Sequence, residues 1–264
     1  MVRGDGQAAT DHQEVRMEWE LGYRAVLAVD IERSAGRGDP ALLAIREALR
    51  AMLREAVERS RIDWEACRVD DLGDGLRVTA PPGVRKTALV HPLFDELAAR
   101  LRAHNRLAGP LTSIRVRTAL HAGDVRLGPD GETAGRPLEV LARLLDAPAV
   151  RSALAEAPES VAVLALSEHF HEETVQPGHP GIEPEDYRRV AVRNKEFTSS
   201  AWIRTAAPAA QDAPGTDPAT ATATAAAPAV APPAGPSRMT NRATGHGVVY
   251  AVQNGVQHIT TTRP

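Results

Sequence analysis

Three stretches predict an α+β fold of ferredoxin-like type, in the order β-α-β-β-α-β-α-β. Tyr23–Ile31 is a run of strand formers, followed by a helical repeat long enough to cross a sheet. Trp64–Thr79 reads as two short strands reversed at Gly73-Asp74-Gly75, where glycine permits positive φ and aspartate tolerates it. Val161–Leu166 is unbroken apolar sequence of strand length, as a strand buried on both faces requires.

The elements follow in order. Residues 1–19 are polar and aperiodic, a lead-in rather than part of the core. After the first strand, Asp39 is placed to cap a helix that Pro40 opens. From Ala41 to Ile62, Leu42, Ile45, Leu49, Leu53 and Val57 recur at helical spacing, with Arg and Glu on the other face. Pro81-Pro82-Gly83 stops the hairpin, and Lys86–Leu107 reads as a second helix with Leu89, Leu93, Leu97 and Leu101 in register. Ile114–Val125 is a strand that the turn at Gly128–Gly131 allows to double back. Pro137–Leu145 starts a third helix, continued after Pro148 through Val150–Ala155. Ser167 caps a short helix, and Tyr187–Val192 with Ser200–Ile203 close the domain at residue 205.

Composition excludes several classes. At 264 residues the chain holds one domain of ordinary size plus a tail, and a net charge of −3 offers no electrostatic case for nucleic acid. No apolar stretch approaches the roughly 20 residues that a membrane helix needs, and the N-terminus lacks a signal-peptide core. The single cysteine, Cys67, rules out an intramolecular disulfide and fits a reducing cytoplasm. The expected location is therefore cytoplasmic, without membrane or nucleic-acid partners.

Two carboxylates carry the candidate chemistry. Asp30 ends the first strand and Asp74 sits at the hairpin turn. If those strands are neighbours, the two side chains project from adjacent strand ends and repel unless Mg²⁺ or Mn²⁺ lies between them. The alternative is a strand-end aspartate and a solvated turn aspartate that never meet. His169 and His171 suggest a metal at first sight, but two residues apart on a helix they point away from each other.

These residues also carry a family resemblance. Ala28-Val-Asp-Ile31, a long helix and then Leu72-Gly-Asp-Gly75 resemble the class III nucleotidyl cyclase homology domain. Ile114–Val125, Gly135 and Ala142-Arg143-Leu144 resemble that family's later strand, glycine and helix, so the likeness spans roughly residues 20–205. It implies a ferredoxin-like βαββαβ core elaborated as in cyclase catalytic domains, ATP or GTP as ligand or substrate, and a homodimer whose subunits complete each other's sites. It also implies metal ligation by Asp30, Ile31 and Asp74, nucleotide contacts at Gly73, Glu132 and Glu139, and a transition-state role for Arg143.

The chain departs from the pattern at three of those positions. Glu139 stands where the family carries an Asn that donates to the phosphate, Asp70 where members often carry a base-reading Lys, and Glu132 where they carry an Asp. A carboxylate near developing phosphate charge repels it. Three readings stay open: a degenerate, nucleotide-binding cyclase domain with a signalling role, an active cyclase of unusual specificity, or a pure interaction module.

Residues 206–237 are rich in Ala, Pro and Thr without apolar periodicity and read as a linker spanning roughly 30 Å on average. Beyond it, residues 238–264 are strand-prone, and Asn254-Gly255 is a hairpin-turn signal. Gly247-Val-Val-Tyr-Ala-Val-Gln-Asn-Gly255 resembles bacterial amyloid-signalling motifs, which are similar to the RIP homotypic interaction motif. That resemblance implies a homotypic or heterotypic partner bearing a similar motif, against the alternative of a low-complexity tail that happens to favour strands.

Overall fold

The computed structural model describes residues 19–194 and 197–206; the linker from 207 and the strand-prone tail lie outside the described residues. The first strand, β1 (Glu20–Ile31), is longer than the sequence suggests and pairs along its whole length with β4 (Val116–Leu127). Between them come α1 (Asp39–Arg59), the hairpin strands β2 (Arg68–Asp71) and β3 (Gly75–Thr79), α2 (Lys86–Val90) and α3 (Leu93–Asn105). The order β2-β3-β1-β4 with antiparallel pairs throughout is the predicted βαββαβ core.

The rest of the chain extends that sheet. A short β5 (Thr133–Ala134) doubles back on β4, as the Gly128–Gly131 turn predicts. Helices α4 (Arg136–Leu145) and α5 (Pro148–Ala155) then cross to β6 (Ala162–Ser167), which joins β4 in parallel. After α6 (Glu168–Thr174) and a 3-10 turn at Pro184–Asp186, β7 (Arg188–Asn194) and β8 (Phe197–Thr205) complete the sheet through β6.

Strand alternation decides what each face receives. Leu27, Val29 and Ile31 of β1 pack with Ile45, Leu49 and Leu53 of α1 and with Phe94 and Leu97 of α3. Val26 and Ala28 face the opposite way, onto Leu141, Leu144 and Val150 of α4 and α5. Asp30 follows them in the alternation and so faces the α4 side. Among the described residues no helix is long and apolar enough to cross a membrane.

Four local expectations are corrected. The helix expected over Lys86–Leu107 is two helices, because Pro92 has no N–H to donate and forces His91 into an extended conformation (φ −141°, ψ 125°). Gly38, not Asp39, is the N-cap of α1; Asp39 is the first helical residue and places its charge against the helix N-terminus. The same helix ends at Arg59, short of Ile62. Trp64–Cys67 forms a turn rather than strand, with Cys67 N donating to Trp64 O at 3.0 Å. Burial raises the Cys67 thiol to about 11, so it stays protonated near neutral pH and is no nucleophile.

Candidate functional site

The hairpin turn is held from both sides. Gly73 sits at φ 94°, and its N–H donates to Asp71 Oδ1 at 2.8 Å. Gly75 is needed for space rather than for its φ, because a Cβ there would lie 2.1 Å from Val29 O. That close approach brings Gly75 opposite Asp30 in the β1–β3 register, and Ile31 N donates to Asp74 O at 3.0 Å. Asp71 also accepts from Arg46 Nη2 of α1 at 2.9 Å, with Arg50 at 3.7 Å. The Gly73 amide and these guanidiniums hold the Asp71 carboxyl below its usual range.

Asp30 and Asp74 meet on one cavity of about 300 Å³, which Leu141, Asp146 and Arg117 also line. Ser34 Oγ donates to Asp74 Oδ2 at 3.0 Å and fixes that carboxylate. Asp30 lies opposite Arg117 in the β1–β4 register and is ion-paired with it, each side chain only 15 % exposed. Burial nevertheless raises the Asp30 carboxyl above its usual pKa; Arg117 opposes this, while the charges of Asp74 and Asp146 add to it. A neighbouring recess of about 330 Å³, lined by Glu32 and Arg33, shares Arg117 and Arg151 with the first.

The donor set was tested against a divalent cation. No group of three or more His, Cys, Asp or Glu side chains able to hold a metal occurs among the described residues. Two carboxylates remain, and Mg²⁺ is commonly bound through one or two carboxylates with waters and phosphate oxygens supplying the rest. An oxygen-only pair with an acid pushed up by burial and by its neighbour fits such an ion, although Arg117 already offers Asp30 a competing positive charge.

The remaining candidates fall elsewhere. Glu139 and Arg143 of α4 are not among the residues lining the Asp30–Asp74 cavity; Glu139 is exposed and Arg143 half-buried. Glu132 is exposed in the β4–β5 turn, where its side chain folds over Gly128. Asp70 is occupied within the protein: Arg77 Nε and Thr133 Oγ1 both donate to its Oδ2 at 3.0 Å. His169 and His171 diverge as expected, exposed and buried respectively, and Ser167 Oγ caps α6 by accepting from Phe170 N at 3.2 Å.

Arg117 is the site residue that sequence reasoning missed. Its signal was there to read, since Arg115 and Arg117 interrupt a buried strand, Ile114–Leu120, and a buried arginine needs a carboxylate. Arg115 finds Glu32 at 3.0 Å, and Arg117 finds Asp30. Arg117 Nε is buried without a hydrogen-bond partner, so this guanidinium has donor capacity left.

No family model matches the sequence, and no curated protein does. Solved structures do match. A guanylyl cyclase shares 12% identity at a TM-score of 0.51, over 73% of this chain and 95% of its own. An adenylate/guanylate cyclase/hydrolase from Silicibacter pomeroyi shares 18% at 0.51, over 71% and 98%. A bacterial light-regulated adenylyl cyclase shares 12% at 0.50, over 71% of this chain and 53% of the other, about half that protein's length. The described domain of this chain therefore has the fold of the adenylyl and guanylyl cyclases.

Proposed function

We propose that the chain is a signalling protein whose cyclase-fold domain binds a purine nucleotide with Mg²⁺ or Mn²⁺ and turns it over weakly or not at all. The observation that carries this reading is the convergence of Asp30, Asp74 and Arg117 on one cavity at the ends of β1 and the β2–β3 hairpin.

In this reading Asp30 and Asp74, with the Ile31 carbonyl, hold the cation. When bound, that cation neutralises phosphate charge and activates the attacking hydroxyl. The protein's own groups do the rest. Ser34 orients Asp74, the Asp71–Arg46 contact holds the turn against α1, and Arg117 meets phosphate oxygens with its spare donors. Gly73 lets the backbone approach the ligand. Glu139 and Arg143 act on a ligand held by a second copy, since they do not line the cavity of their own chain. Arg143 then stabilises charge on the phosphate, whereas Glu139 repels it and slows the chemistry.

The C-terminal segment 238–264 is the output: nucleotide occupancy of the domain governs whether the motif templates a partner carrying a similar one, across the linker 206–237. A second reading, an active cyclase of unusual specificity, draws on the Asp70–Arg77–Thr133 cluster and on Glu132, which replace the family's base-reading set by a different polar arrangement.

Calorimetric titration with ATP and GTP in Mn²⁺ or Mg²⁺, followed by product analysis of the same mixture, tests both. Saturable metal-dependent binding with little cyclic product is expected. Abundant product favours the second reading, and no binding of either nucleotide overturns both.

A further inference from the structure

We propose that the cleft between α6, the Pro184–Asp186 turn and β8 is a second binding site, for an organic cation of the alkyl-ammonium or guanidinium class. The cleft is a cavity of about 430 Å³ that shares no residue with the Asp30–Asp74 cavity, so it stands independently of the nucleotide reading.

Its walls set the charge of the ligand. Glu168 and Glu172 lie one turn apart on α6 and both line the cleft, where like charges at that spacing repel. Glu185 brings a third carboxylate from the 3-10 turn, and Gln176 a neutral amide. Arg189 reaches Glu168 at 3.3 Å, while Glu172 and Glu185 stand exposed at the rim. An anion has no place in such a setting, and a cation relieves the repulsion.

Acidic side chains alone would carry nothing; the floor of the cleft points to a ligand. His171 is 5 % exposed and stacks on Trp202, with ring centroids 3.9 Å apart and planes within 5°. Tyr187 meets the same imidazole edge-on at 5.9 Å. Both ring nitrogens of His171, and Trp202 Nε1, are buried without a hydrogen-bond partner. Each unpaired buried polar group costs about 1–3 kcal/mol, so three together on the wall of one cavity are a strain that an incoming polar group relieves.

The chemistry is consistent at each contact. Burial lowers the pKa of His171 while Glu168 and Glu172 pull it up, and the ring is neutral near pH 7. A neutral imidazole keeps one lone pair, which accepts from the N–H of an ammonium or guanidinium; a charged one would repel it. The indole of Trp202 offers a π-face to the same cation. Carboxylates at the rim, an acceptor within and an aromatic wall make a site that discriminates by charge sign before shape. Trp202 also lies on the strand that leads into the C-terminal segment, so occupancy is poised to be felt there.

The test uses the full-length protein with agmatine and spermidine as probes, at constant ionic strength. Calorimetry should give saturable binding of one probe molecule per chain, with a change in tryptophan emission that Trp202→Phe removes. Glu172→Gln combined with Glu185→Gln, both at exposed positions, should weaken binding at least tenfold while leaving the thermal midpoint and Mn²⁺ affinity unaltered. The proposal is overturned if no saturable heat appears at millimolar probe. It is equally overturned if the double variant binds as the parent does, or if matched NaCl reproduces the emission change.

Discussion

Arg117 is ion-paired with Asp30 across the β1–β4 register, yet the carboxyl it holds is more reluctant to ionise than a free aspartate. Burial outweighs the arginine, and Asp74 and Asp146 reinforce burial. A pair in which the attraction fails to cover the desolvation cost is a poor stabilising device and a good place for an additional cation.

Asp30→Asn should therefore raise the thermal midpoint of the metal-free protein at neutral pH. The folded pKa lies above the unfolded value of 3.8, so the stability associated with the protonated form is complete below 3.8 and lost as pH rises through the folded value. The advantage of the variant should accordingly shrink as the pH is lowered towards 3.8. Mn²⁺ should stabilise the parent and not the variant. A parent that melts at the same temperature with and without Mn²⁺ would refute the shared cation site.

Glu139→Asn restores the hydrogen-bond donor that the family places on this helix. Loss of one such donor costs about 10²–10³-fold in rate elsewhere, so residual cyclic nucleotide formation should rise by up to that factor. Product assays on both proteins decide it, and robust turnover by the unmodified protein would show the argument to be mistaken.

Arg46→Ala removes the strongest tie between α1 and the turn that carries Asp74. The pair is largely exposed, so global stability should fall by less than about 1 kcal/mol. Mn²⁺ affinity should fall several-fold, because the turn loses the clamp that positions Asp74. Equal metal affinity in parent and variant would mean that the turn is held by its backbone contacts alone.

For the C-terminal segment, a peptide of residues 238–264 should form fibrils with cross-β spacing, and Val252→Asp or Gly255→Pro should abolish them. Stacked copies satisfy the backbone that an isolated hairpin leaves open, and align Gln253, Asn254 and Gln257 in ladders. A peptide that stays monomeric at high concentration, without thioflavin signal or seeding, leaves the segment a plain tail.

The sequence by itself determined the order of elements, because the period of its apolar residues switches between two and 3.6 at each boundary. Ile45, Leu49 and Leu53 of α1, or the run over Val161–Leu166, bury where that spacing says they must. It also determined the turn, since Gly73 adopts the positive φ for which glycine was read there and Gly75 leaves the room that Val29 O takes up. Only the tertiary structure decided what meets what. Pairing register is a long-range property, and it is the β1–β4 register that puts Arg117 beside Asp30, and the β1–β3 register that brings Gly75 opposite it. The break at Pro92 escaped the leucine spacing of Leu89, Leu93 and Leu97 because a side-chain pattern carries no information about a missing amide. The separation of Glu139 and Arg143 from the Asp30–Asp74 cavity was equally invisible, since one turn of helix fixes their spacing but not the surface to which they turn.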